Sequence, residues 1–281
     1  MSAHVISMIN LKGGVAKTTT TIGLAQCLSA NHEKKVLVID LDPQTNATVM
    51  LIGEDKWQSQ NKNGWTLEAL FRDAIEKTNK FDLGSAVLQG VSGIRDVKSV
   101  DLLPSSIDLI STQDKLINTP RDDFHSGGPT EILKNAIKPI IDHYDYVLID
   151  CPPHLGIITL NGLRISKGYI IPTIPDILST YGIPQIVNRV TDYAKAIGEK
   201  IIPLGIVVTK MRPQSSLHKR TLENLKEEKD APLFKTIFLE NNQMAEAAEY
   251  IEHNTLRQKW GYQGQYEKFS DFTEEVHSIL E

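Results

Sequence analysis

The chain has 281 residues, 41% of them hydrophobic and 23% charged, a composition that excludes disorder and collagen-like repeats and describes a folded globular protein. Its 30 Lys and Arg against 35 Asp and Glu leave a net charge of -5, so this is no polycation built to coat nucleic acid, and any DNA contact must come from a local patch. Only 2 cysteines occur, Cys27 and Cys151, without CxxC spacing, which excludes a disulfide scaffold and the common zinc ribbons and points to a reducing compartment.

In chain order, residues 1–10 run directly into a glycine-rich loop, without the zones of a signal peptide. Short β-branched blocks at 5–9, 36–39, 100–103, 146–149, 169–171 and 201–208 read as buried parallel strands. Between them, 17–29, 106–117, 130–142, 183–197 and 215–228 carry helical spacing. The polar stretches 54–64 and 121–129 read as surface loops, and 267–281 as a terminal helix with an acidic face, packed on the domain. No apolar run approaches the roughly 18 residues of a bilayer span, so the expected location is cytoplasmic. Alternation of strand and helix predicts an α/β fold: a doubly wound, mostly parallel sheet with helices on both faces. The length allows two domains, but no linker or repeat divides it, and one domain over 1–281 is expected.

Lys12-Gly13-Gly14-Val15-Ala16-Lys17-Thr18-Thr19 follows the first strand and opens a helix, the context of a P-loop. Such a loop turns its backbone N–H groups around phosphate oxygens, with the helix dipole aimed at the same charge. Lys17 is placed to reach the β and γ phosphates, Thr18 to ligate Mg²⁺ and Thr19 to donate to the α phosphate. Two further strands end on carboxylates: Asp40, then Asp42 in Leu41-Asp42-Pro43-Gln44, and Asp150 before Cys151-Pro152-Pro153. Ligands of open α/β sheets bind at such strand ends. Asp150 is placed like a Walker B aspartate, with Asp40 and Asp42 set to orient the attacking water or the metal shell. An aspartate at a strand end is also an ordinary turn former; three beside a P-loop point to function.

The loop, with its extra Lys12, resembles the deviant Walker A motif of the ParA/MinD ATPases. The stretches 40–48 and 150–156 and the run 160–163 extend the resemblance over most of the chain, and Asp40-Leu41-Asp42-Pro43-Gln44 is most similar to ParA-type partition ATPases. The resemblance implies an ATP-bound, Mg²⁺-dependent homodimer in which Lys12 of one subunit reaches the phosphates held by the other. Hydrolysis would then depend on assembly, Asp42 positioning the water and Asp40 supporting Mg²⁺ or that water. It also implies an adenine pocket near Thr209, Lys210 and Met211, non-specific DNA binding, nucleoid association when ATP is bound, and a ParB-like or adaptor protein that stimulates hydrolysis. The cargo would be a plasmid, a chromosome region or a protein assembly.

The chain departs from the family at Ala16, where glycine is more usual. If that position needs positive φ, a Cβ costs roughly 1 kcal/mol and weakens ATP binding without abolishing it.

Candidate DNA contacts are Arg189, Lys195, Lys210, Arg212, Lys219, Arg220 and Lys226. The same residues also suit a solvated face of mixed charge. No segment for a helix-turn-helix is expected before the first strand, and the acidic face at 267–281 disfavours a MinD-like membrane anchor, which would want Lys and Arg there. An iron–sulfur role for Cys27 and Cys151 is disfavoured, because Cys27 lies about 15 Å along its helix from Lys17; both read as core residues. The competing class is a metabolic P-loop enzyme, a kinase or ligase acting on a small substrate in the same fold.

Overall fold

Strand and helix alternate along the chain: β1 (His4–Met8), α1 (Lys17–His32), β2 (Val36–Asp40), α2 (Asn46–Ile52), α3 (Glu54–Lys62), α4 (Leu67–Glu76) and α5 (Leu83–Ala86) come first. Next are β3 (Val100–Leu103), α6 (Leu109–Asn118), α7 (Ile132–Ile137), β4 (Tyr146–Asp150), α8 (Ile157–Ile165) and β5 (Gly168–Thr173). Then follow α9 (Ile177–Tyr181), α10 (Ile183–Ile197), β6 (Ile202–Met211), α11 (Ser216–Lys226) and β7 (Leu233–Leu239), with α12 (Asn242–Glu246), α13 (Leu256–Trp260) and α14 (Gln265–Leu280) last. The computed structural model describes residues 3–120, 128–262 and 264–281. Most of the loop expected at 121–129 lies outside the described residues.

The strands form one seven-stranded sheet in the order β3-β2-β4-β1-β5-β6-β7, every neighbouring pair parallel. Every residue of β2, β4 and β5 is buried, as their unbroken apolar runs require of strands covered on both faces. One face is covered by α4, α6, α7, α8 and α10, through Leu67, Leu109, Leu133, Leu163 and Ile186. The other face is covered by α1, α2, α13 and α14, through Leu24, Met50, Trp260 and Phe269. Helices on both faces of a parallel sheet make the fold doubly wound, as expected. The strand order reverses around β1, so the loop leaving β1 sits at a topological switch point, where such sheets bind ligands.

Three expectations change. The stretch 54–64 is not a loop: residues 54–62 form α3, its first turn carrying Glu54 and Asp55 at the dipole's positive end. Residues 130–142 break into α7 and a 3₁₀ turn at Ile141–His143. The edge strand β7 is an addition to the predicted strands, its burial alternating with Phe234, Thr236 and Phe238 buried and Lys235 and Leu239 exposed. The terminal helix packs on the domain through Phe269, Phe272, Thr273 and Val276. Cys27 and Cys151 lie in opposite cores, and burial pushes both thiols up, Cys27 to about 12. No helix among the described residues is long and apolar enough to cross a membrane.

Candidate functional site

The loop between β1 and α1 is shaped by its backbone before any ligand is considered. Asn10 fixes its start, its Nδ2 donating to the Pro172 carbonyl at 2.8 Å and its Oδ1 accepting the Lys12 N–H at 2.9 Å. Gly14 has φ +75, which glycine adopts freely. Ala16 has φ 61 and ψ 31, left-handed as feared from the sequence, and its carbonyl accepts the Thr20 N–H as α1 begins. Val15 is fully buried, and its carbonyl accepts the Thr209 hydroxyl at 3.0 Å, which ties the loop to the end of β6.

A cavity of about 600 Å³ opens beside this loop. Its floor is Gly13, Gly14, Ala16, Lys17, Thr18 and Thr19, with Asp42 and Gln44 at the end of β2. Lys17 is buried, its Nζ donating to the Lys12 carbonyl at 3.3 Å. Burial lowers its pKa, opposed by the charges of Asp150 and Asp42. Behind the loop, Thr18 Oγ1 donates to Asp150 Oδ2 at 2.6 Å and Thr21 Oγ1 to Oδ1 at 3.4 Å. Burial raises the Asp150 pKa to about 7, although the Thr18 hydrogen bond and the Lys17 charge pull it down. A hydroxyl backed by a carboxylate is an all-oxygen donor set, the chemistry that suits Mg²⁺.

Asp40 faces Asp150 across the β2/β4 register but does not line the cavity. It is fully buried: one oxygen accepts the Thr48 N–H at 2.8 Å and hydroxyl at 2.6 Å, the other the Asp42 N–H at 3.1 Å. Burial first, then the Asp150 charge, raises its pKa well above the carboxylate range. Asp40 thereby holds the Asp42 N–H and the first turn of α2. Asp42 itself lines the cavity and accepts the Gln44 N–H at 3.0 Å.

Of the residues expected around adenine, Thr209 and Lys210 line the cavity, whereas Met211 is buried in the core, beyond the left-handed Lys210 and the register shift that interrupt the regular alternation of β6. The wall opposite the loop comes from segments the sequence reading missed: Asn46, Val49 and Met50 of α2, and Leu239, Asn241 and Met244 around α12. A β-branched and aromatic run at 233–239 followed by two asparagines was the available signal of a strand leading into a capped helix, and Asn241 does cap α12.

Lys12 points away from the phosphate-binding floor, its Nζ paired with Asp176 Oδ2 at 2.9 Å. Asp176 also caps α9 by accepting the Ser179 N–H at 2.7 Å. Of the expected DNA contacts, Arg189 and Lys195 are exposed on α10, and Lys219, Arg220 and Lys226 on α11. Lys226 pairs with Glu223, and Arg212 is held by Glu240 through Nε and Nη2. Lys210, also exposed, lines the cavity, and its Nζ donates to the Gly14 carbonyl at 2.7 Å.

The comparisons agree with this architecture. Residues 3–202 match the family model described as AAA domain. The sporulation initiation inhibitor protein Soj of Bacillus subtilis is 29% identical over 86% of this chain and 87% of its own. The structure of apo McdA from Cyanothece superposes with a TM-score of 0.75 at 25% identity, covering 99% of this chain and 100% of that one. Cobyrinic acid a,c-diamide synthase from Mycobacterium smegmatis, with bound ATP analog and magnesium, shares the fold at a TM-score of 0.75 and 22% identity, over 99% and 96% of the two chains. The loop with two lysines, its strand–helix setting and these relatives together make the chain a member of the AAA domain family and a P-loop ATPase of the ParA/MinD type.

Proposed function

We propose that this ATPase is a positioning switch: ATP binding closes a homodimer, the dimer binds DNA without sequence preference, and a partner protein triggers hydrolysis and release. The observation that carries this reading is the pair of lysines in one loop, Lys17 over the cavity floor and Lys12 turned outward to Asp176. A cation that does not serve its own site is suited to complete another, so that charge stabilisation arrives only when two copies meet. Relatives named Soj, ParA and McdA support the partition reading. By the same reading residues 1–281 act as one ATPase domain, cytoplasmic and nucleoid-associated when ATP is bound. Arg189, Lys195, Arg212, Lys219, Arg220 and Lys226 are its candidate DNA contacts.

In this scheme Gly13, Gly14, Val15 and Ala16 wrap the phosphates, Lys17 neutralises the β and γ oxygens and Thr19 meets the α phosphate. Thr18 and Asp150 would hold Mg²⁺, which supplies further neutralisation of the phosphate oxygens when bound. Asp42, held by the Gln44 N–H and by Asp40 through its own N–H, orients a water. Its oxygen bonds to the γ phosphorus as the bond to the bridging oxygen breaks, and the water's protons end on phosphate or solvent.

Two variants test the assignment. Lys17→Ala abolishes nucleotide binding, whereas Asp42→Ala keeps ATP and ATP-dependent dimerisation and loses at least about a hundredfold in turnover. Normal turnover in Asp42→Ala would contradict the role of Asp42. The second reading, a metabolic ligase, draws on the fold shared with the cobyrinic acid synthase; turnover that needs a small substrate and neither DNA nor a second protein would favour it.

A further inference from the structure

Lys210 stands at the end of β6 with φ 49, a left-handed backbone that is unfavourable for a non-glycine residue. The β6/β7 register shifts between Val208 and Met211, and next to this irregularity the Thr209 hydroxyl grips the Val15 carbonyl. The strand end is thereby fixed against the P-loop, and the side chain that leaves it spans to the Gly14 carbonyl at 2.7 Å. Lys17 makes the equivalent contact with the Lys12 carbonyl. Two ammonium groups thus rest on neutral carbonyls of one loop, and neither forms an ion pair among the described residues. Glu240, a carboxylate of the same cavity, is hydrogen-bonded by Arg212 and feels the Lys210 charge without pairing with it. A cation whose hydrogen bond goes to a neutral carbonyl gains when a multiply charged anion replaces it, because hydrogen bonds between charged partners are about twice as strong as neutral ones.

We infer that Lys210 is a second phosphate-binding lysine acting within its own subunit, recognising the di- or triphosphate chain of the nucleotide, and is not a DNA contact. This rests on the ATPase assignment and extends it to a residue outside the P-loop.

The test is calorimetric titration of the full chain with ADP, a non-hydrolysable ATP analogue and adenosine, for the wild type, Lys17→Ala, Lys210→Ala, Lys210→Gly and Lys210→Arg. Glycine adopts positive φ freely, so Lys210→Gly removes the charge while relieving the backbone and guards against misfolding of the alanine variant. The expected result is about tenfold weaker ADP and ATP-analogue binding in both Lys210→Ala and Lys210→Gly, near wild-type binding in Lys210→Arg, and unchanged adenosine binding. DNA affinity at saturating nucleotide stays at the wild-type level. Nucleotide affinity within about twofold of wild type in Lys210→Gly overturns the inference, as does equal weakening of adenosine, or a loss confined to DNA binding. If Lys17→Ala loses nucleotide while both charge-removing variants keep it, the inference fails and the ATPase reading stands. A wild type that binds none of these phosphates overturns both.

Discussion

Ala16 holds φ 61 at the point where the P-loop becomes α1. A methyl group there costs roughly 1 kcal/mol in a conformation that glycine adopts freely, and it sits in the wall of the cavity. Because that conformation belongs to the fold itself, Ala16→Gly is expected to stabilise the fold by up to about 1 kcal/mol in urea unfolding; an unchanged midpoint would mean that the backbone there carries no strain. A second residue-scale consequence concerns the facing pair Asp40 and Asp150. An unfolded Asp150 ionises near 3.8, while burial in the folded protein holds its proton to about 7. Between those values the folded state binds more protons than the unfolded state, so this residue's contribution to stability falls as pH rises and levels off above the window. Melts without nucleotide or Mg²⁺ at about pH 4.5 and about pH 7.5 should show Asp150→Asn gaining on the wild type as pH rises. A constant difference between the two proteins would mean that Asp150 is ionised throughout.

At the scale of elements, α14 is held against α1 through one close approach. A Cβ on Gly23 would lie 2.1 Å from the Phe269 ring, itself packed against Trp260 and Phe238. Because rings locked on both sides cannot step back, Gly23→Ala should cost roughly 1–3 kcal/mol in urea unfolding; a neutral effect would show that α14 shifts freely. The same elements show what the sequence made legible. Fully buried strands such as β2 and β4 announce themselves as apolar runs ending in aspartate, and the glycine-rich loop names its own ligand. The edge strand β7 and the short α12 speak less plainly, since Lys235 and Thr236 interrupt the apolar run of β7 and α12 is only five residues long. The far wall of the cavity was therefore harder to read. Lys210 reads two ways in the sequence, near an adenine pocket by resemblance and as a DNA contact by charge, and its hydrogen bond to the Gly14 carbonyl is a contact that only the fold reveals. The position of Asp40 at a strand end is legible in the sequence, whereas its engagement by Thr48, eight residues on, is a contact that only the fold reveals.

For the whole molecule, the account rests on charge that changes purpose with nucleotide. The net charge of -5 repels DNA at long range, and in the proposed switch the exposed Lys and Arg of α10 and α11 on one copy do not overcome it. Two copies brought together by ATP would double the patch, and about six phosphate contacts would make affinity fall roughly a thousandfold between 50 and 200 mM salt. The most direct test is binding to random-sequence duplex DNA with ATP, with ADP and without nucleotide, at those two salt concentrations. The account predicts salt-sensitive binding with ATP and none in the other two states. Binding that ignores nucleotide, or no binding in any state by a protein that holds ATP normally, would contradict it.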